Sequence, residues 1–157
     1  MTAAERTVVR LRDLGWTLAT AESLTAGLVA AAVADVPGCS DVLRGGVVAY
    51  QADVKVDLLD VPAAQAAAGV VSRAVAEAMA AGVRARLGAD VGVATTGVAG
   101  PEPHAGEPVG SVWIAVATPD GAVSEHLNLP GSRAAIRTDT VQAALELLLR
   151  VIGPVGE

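Results

Sequence analysis

Two periodicities alternate along the chain. Val8, Leu11 and Leu14 recur at helical spacing, which predicts a helix near Ala3 to Leu14 closed by Gly15. Trp16 to Thr20 then reads as a short strand. Thr25 is placed to cap a helix running to about Asp35, which Pro37-Gly38 terminates. Gly45 to Tyr50 is an apolar run of strand length, and Asp53 is a candidate N-cap for a short helix carrying Lys55, Leu58 and Leu59. A helix from about Ser72 to Leu87 ends at Gly88, and Val91 to Thr95 reads as a buried strand.

Gly97 to Gly110 is a Gly/Pro-rich loop of a length that domains reserve for function or mobility. Ser111 to Thr118 is apolar on both faces, the pattern of a central strand. Pro119-Asp120-Gly121 is a turn signal. Val123, Glu125, Leu127 and Leu129 then alternate with Ser124, His126 and Asn128, as a half-buried antiparallel partner should. Beyond Pro130-Gly131, residues Ile136, Val141, Ala144, Leu145 and Leu148 mark one face of a final helix. Helices alternating with strands, followed by a hairpin and a helix, predict an α/β fold with a mixed sheet covered on both faces.

The chain has 157 residues, enough for one domain that buries about two-thirds of its unfolded surface. No repeat or linker divides it. Hydrophobic residues make up 52% of the sequence, yet there is no Phe. The core must therefore be assembled from small aliphatic side chains. A net charge of −6, with no cluster of Lys or Arg, argues against a nucleic-acid surface. The longest charge-free apolar run, near Ala26 to Ala34, falls well short of the ~20 residues that cross a bilayer. The Met1 to Trp16 segment is interrupted by charges and lacks a signal core. The single cysteine, Cys39, excludes an internal disulfide framework. A soluble, cytoplasmic protein is the expectation.

Three segments are candidates for chemistry. In Ala21-Glu22-Ser23-Leu24-Thr25-Ala26-Gly27 a hydroxyl lies between a strand and a helix start. Backbone N–H groups there suit an oxyanion or a phosphate, although Ser and Thr are also the ordinary N-caps. The second segment pairs Tyr50 with Lys55. Lys55 is the only lysine, against ten arginines, and a desolvated amine can act as a base where arginine stays protonated. A surface lysine paired with Asp53 or Asp57 is the alternative. The third is Thr95-Thr96-Gly97-Val98-Ala99-Gly100-Pro101, closed by Pro108-Val109-Gly110, where glycines either admit a ligand to the backbone or serve an unusual loop conformation. Cys39, His104 and His126 have no spacing that suggests zinc, so neither metal nor cofactor is expected.

The ordered combination of Glu22-Ser23-x-Thr25-x-Gly27, Val36-Pro37-Gly38-Cys39-Ser40, Gly46-Val47-Val48-Ala49-Tyr50 with Lys55, Thr96 to Pro101 and Pro108 to Trp113 resembles the CinA family. More narrowly it is similar to the CinA C-terminal domain, which also occurs alone as a nicotinamide-nucleotide amidohydrolase. The resemblance spans about Ala4 to Leu149. It implies a three-layer α/β/α structure and deamidation of nicotinamide mononucleotide to nicotinate mononucleotide and ammonia. Ser23 would be the nucleophile and Lys55 its base, with Tyr50, Thr96 and Ser40 lining the site. The turn residues Glu22, Thr25, Ala26 and Gly27 and the loop residues Gly97 and Gly100 would contact the substrate. Arg133 and Arg137, which resemble the family's late Gly-Asp-Arg segment and its following arginine, would hold the phosphate. The partner expected is a small nucleotide substrate, with self-association into a homo-oligomer.

The chain also departs from the family pattern. Leu24 and Ala26 replace a common Cys and Gly, and Ala26 is a difficulty if its position needs a positive φ. The segment Val61 to Val71 is short, Ser132 replaces an Asp, and Glu107 stands where a lysine is frequent. An amidohydrolase for another small amide and a non-catalytic nucleotide binder are the competing readings.

Overall fold

A computed structural model describes residues 1–153. Five strands, β1 (Leu18–Glu22), β2 (Leu43–Val48), β3 (Val91–Gly97), β4 (Ser111–Thr118) and β5 (Gly121–Asn128), form one sheet. Its order is β2-β1-β3-β4-β5. β1 runs parallel to both β2 and β3, whereas β4 is antiparallel to β3 and β5. Helices α1 (Ala3–Leu14), α2 (Leu28–Ala34) and α6 (Arg133–Ile152) cover one face, and α3 (Ala52–Leu59), α4 (Ala63–Ala68) and α5 (Arg73–Leu87) cover the other. The result is a three-layer α/β/α domain around a mixed sheet.

The two faces are built from different residues because side chains alternate along each strand. Leu18, Val91, Val93, Val112, Ile114 and Val116 meet α1, α2 and α6. Alanines at positions 19, 21, 94, 115 and 117 point the other way. That alanine face lets α5 lie close to the sheet. A Cβ at Gly92 would stand 2.1 Å from the Ala80 carbonyl, and one at Gly82 would stand 1.8 Å from the Leu59 carbonyl. A core without phenylalanine is thus filled by bringing backbones together.

Several boundaries differ from the sequence pattern. β1 begins at Leu18 and continues to Glu22, because Trp16 donates its amide to the Leu11 carbonyl in the α1 cap while Thr17 binds the Asp90 carboxylate. β2 is Leu43–Val48 rather than Gly45 to Tyr50, since parallel pairing places Leu43 opposite Leu18 and lets the chain leave the sheet after Val48. α2 starts at Leu28 with Gly27, not Thr25, as its N-cap. Gln51 rather than Asp53 precedes α3. The short α4 carried no sequence signal, since an alanine run has no apolar periodicity. β5 pairs antiparallel with β4 as its alternation predicts, although Val123 on this outer strand is exposed. Among the described residues, no helix is long and apolar enough to cross a membrane.

Candidate active site

The carboxyl ends of the three parallel strands meet on one edge of the sheet. The chain leaves β1 toward β2 on one side, and β3 lies on the other, so the end of β1 is a topological switch point where α/β sheets open a crevice. Ser23 follows β1 directly, Ala49 and Tyr50 follow β2, and the loop 98–110 follows β3. A cavity of about 550 Å³ opens there, walled by Ser23, Tyr50, Thr96, Ala99, His104 and Arg133 among others.

The turn that presents Ser23 is held from below by Glu22. This carboxylate is 1% exposed. It accepts hydrogen bonds from the Thr25 hydroxyl at 2.7 Å, the Thr20 hydroxyl at 3.2 Å, and the Val29 and Ala30 amides at 2.8 and 3.1 Å. An anion at a helix N-terminus is stabilised by the free N–H groups and the helix dipole. Here the protein's own carboxylate fills the α2 terminus that the sequence pattern offered to a ligand. Glu22 and Thr25 are therefore structural, and Thr25 is fully buried, with its hydroxyl also 2.8 Å from that of Thr95. Ala26 has φ +48° and Gly27 φ +102°, so Ala26 does occupy the left-handed region that favours glycine.

Lys55 lies in the first turn of α3 and is 1% exposed. Its amine contacts three oxygens: Ser23 Oγ at 2.9 Å, the Ala49 carbonyl at 2.8 Å and the Tyr50 carbonyl at 2.9 Å. Burial lowers its pKa to about 8. The partners define what a neutral amine can do. Two N–H groups satisfy the two carbonyls, which leaves the lone pair facing the serine hydroxyl. The alternative of a surface lysine paired with aspartate is excluded by this burial.

Around the pair, the structure sorts the other candidates. Tyr50 supplies its carbonyl to Lys55, while its half-exposed ring lines the cavity and its hydroxyl accepts a 2.9 Å hydrogen bond from Arg133. Thr96 lines the cavity, but its hydroxyl donates to the Val70 carbonyl at 2.8 Å, which joins the end of β3 to the segment before α5. Gly97 and Gly100 also line it. Their lack of a side chain answers packing, since a Cβ at Gly97 would stand 2.7 Å from Val112 and one at Gly100 would stand 2.7 Å from Val109. Arg133, the first residue of α6, reaches the wall and also donates to the Gly100 carbonyl.

Two expectations fail. Ser40 lies exposed in a 3-10 turn at Cys39–Asp41 and is not part of the cavity wall. Arg137 is absent from the wall as well, because its guanidinium donates to the Leu24 and Thr25 carbonyls at 2.8 and 3.3 Å. Glu107 does not face the cavity either; it accepts a 3.0 Å hydrogen bond from Ser111. Sequence reasoning overlooked Val70, Val71, Gln51 and Glu102 as wall residues. Nothing in their residue types marks them, since only the fold brings them beside Ser23.

The family model for the CinA C-terminal domain matches residues 1–152. A CinA-like protein of Frankia casuarinae is 53% identical over 137 residues, covering 87% of this chain and 32% of that protein. A putative competence-damage inducible protein of Desulforamulus reducens is 51% identical over 138 residues, covering 87% of this chain and 34% of that protein. The chain thus spans about a third of the length of these relatives. Among solved structures, the competence/damage inducible protein CihA from Agrobacterium tumefaciens superposes with a TM-score of 0.92 at 37% identity, covering 96% of this chain and 94% of that one. A CinA superfamily protein from Klebsiella pneumoniae 700603 gives 0.92 at 31% identity, covering 96% and 95%.

Proposed function

The chain belongs to the CinA C-terminal domain family, and from that membership together with the buried Ser23–Lys55 pair we propose that it hydrolyses the carboxamide of nicotinamide mononucleotide to the carboxylate and ammonia. The observation that carries the reading is the 2.9 Å contact between Lys55 Nζ and Ser23 Oγ, made by an amine that is 1% exposed. A nucleophile within reach of a base whose pKa is lowered toward neutrality is the arrangement that nucleophilic acyl transfer requires.

In this mechanism the neutral Lys55 amine takes the Ser23 proton as Oγ attacks the carboxamide carbon. The Ala49 and Tyr50 carbonyls hold the resulting ammonium in place. Collapse of the tetrahedral intermediate breaks the C–N bond, and Lys55 returns the proton to the leaving nitrogen, which departs as ammonia. Water then attacks the acyl-serine with Lys55 again accepting the proton, and Ser23 and the carboxylic product are released. Oxyanion stabilisation falls to amides of the cavity wall. Those of Leu24, Ala99 and Gly100 have no hydrogen-bond partner among the described residues, which leaves them free for a developing charge. Arg133, at the N-terminal turn of α6, is the candidate for the substrate phosphate, where guanidinium and helix dipole act together.

A second reading has one observation in its favour. Arg133 is the guanidinium in the cavity wall and already serves the Tyr50 hydroxyl and the Gly100 carbonyl, while Glu102 lines the same cavity. That balance suits an uncharged amide better than a phosphomonoester. Ammonia release measured over nicotinamide mononucleotide, nicotinamide riboside, nicotinamide and simple aliphatic amides separates the two. Turnover confined to the mononucleotide supports the proposal, turnover of the uncharged amides supports the second reading, and no release from any of them overturns both.

A further inference from the structure

Arg137 reaches from α6 to the turn that presents the nucleophile. From the second turn of that helix it donates to the Leu24 carbonyl at 2.8 Å and the Thr25 carbonyl at 3.3 Å. It is half-buried and stands outside the cavity wall. In a trans peptide the C=O and N–H point in opposite directions. A guanidinium that holds the Leu24 and Thr25 carbonyls therefore fixes the Leu24–Thr25 and Thr25–Ala26 peptide planes, and with them the directions of the Thr25 and Ala26 amides. The Ala26 amide so placed donates to the Ser23 carbonyl at 3.0 Å, which sets the Ser23–Leu24 peptide plane and with it the direction of the Leu24 amide. The Leu24 and Thr25 amides are left without a partner among the described residues, although Thr25 is fully buried and Leu24 is 2% exposed. Buried amides without partners are rare in folded proteins and need an explanation.

We infer that Arg137 is a positioning residue that locks the turn after Ser23 so that its unpartnered amide beside the nucleophile, that of Leu24, is held ready for the oxyanion. The positive charge on the far end of the Leu24–Thr25 peptide also polarises that turn. Glu22 pins the other side of the turn through Thr25 and the α2 amides, so the φ +48° conformation of Ala26 is held between two charged anchors. Arg137 thus acts on the reaction through backbone geometry and makes no contact with substrate phosphate.

The inference rests on Ser23 being an acyl-transfer nucleophile, and the test separates the two. The full chain and its Arg137→Gln and Arg137→Lys variants are treated with a fluorophosphonate. The rate of covalent labelling at Ser23 is followed by mass spectrometry across a pH series, and affinity for nicotinamide mononucleotide is measured by calorimetry in a Ser23→Ala background. Arg137→Gln should label about 10- to 100-fold more slowly, less than the about 10²- to 10³-fold cost of removing an oxyanion donor outright because the amide itself remains, with unchanged nucleotide affinity and an unchanged pH midpoint. Arg137→Lys, which can still donate to one carbonyl, should recover part of the rate. Native labelling rates in Arg137→Gln would overturn the inference alone, as would a loss of nucleotide affinity with labelling intact, which would make Arg137 a phosphate reader. Absence of labelling in the native protein would overturn the nucleophile reading and the inference with it.

Discussion

Replacing Lys55 by methionine keeps most of the buried stem and removes the amine, which isolates the proposed base. The structure sets the stability cost. Burial holds the pKa of the native amine at about 8 against an ordinary value of 10.5, a displacement that withholds about 3 kcal/mol of stability at neutral pH, at about 1.36 kcal/mol per decade. Methionine recovers that energy but leaves the Ala49 and Tyr50 carbonyls without their donor, at about 1–3 kcal/mol each. The two effects are of similar size, so the variant folds. Its activity should fall by about 10²- to 10⁴-fold, the usual yield of a positioned base. Lys55→Arg should be nearly as inactive, because a guanidinium keeps its proton. In the native protein about one amine in ten is neutral near pH 7, so fluorophosphonate labelling of Ser23 should rise about tenfold toward a plateau above about pH 9. Stability should move in the same direction. The unfolded chain holds the lysine proton up to about pH 10.4 while the native state releases it near 8, so the unfolded state binds more protons between these values. Native stability therefore climbs as pH rises through that window and is lost as pH falls through about 8. Denaturant titrations of native and Lys55→Met protein at the two ends should differ in their pH dependence by about 3 kcal/mol. A native labelling rate independent of pH, or near-native activity in Lys55→Arg, would refute the assignment of Lys55 as base.

Ser23→Ala should abolish hydrolysis while shifting the melting temperature little, because the hydroxyl contributes chemistry and negligible volume; turnover surviving in this variant would rule out an acyl-enzyme. Arg133→Ala should weaken binding of nicotinamide mononucleotide far more than that of the riboside, read by calorimetry, and equal losses for both would remove Arg133 as the phosphate anchor. Ala26→Gly should stabilise the fold by up to about 1 kcal/mol, since glycine relieves the cost of a left-handed φ and only its extra unfolded-state entropy opposes the gain. A destabilisation in denaturant titration would count against strain at this position.

Much of the architecture was legible in the sequence because burial imposes periodicity. The α1, α5 and α6 patterns end at Gly15, at Gly88 and past Leu148, where the structure ends or nearly ends those helices. The doubly apolar Ser111–Thr118 run is an interior strand. The same argument fails for α4, whose Ala63–Ala68 run shows no contrast between faces. Ser23 and Lys55 were legible too, as a hydroxyl at a strand-to-helix turn and a lone lysine, and the family resemblance joined them. What residue types could not convey was the direction in which each polar group is spent. Glu22 and Thr25 stood in the motif as ligands, yet their oxygens close on the α2 amides and on each other. The family resemblance assigned Arg137 to a phosphate, yet its guanidinium is used on two carbonyls 112 and 113 residues away in sequence. Ser40 belonged to a family segment but lies outside the cavity. Periodicity and propensity are local, so the chain alone determined its elements and nominated its chemistry. Hydrogen-bond partners and the desolvation of a lysine depend on what the fold brings within about 3 Å, and only the tertiary structure decided them.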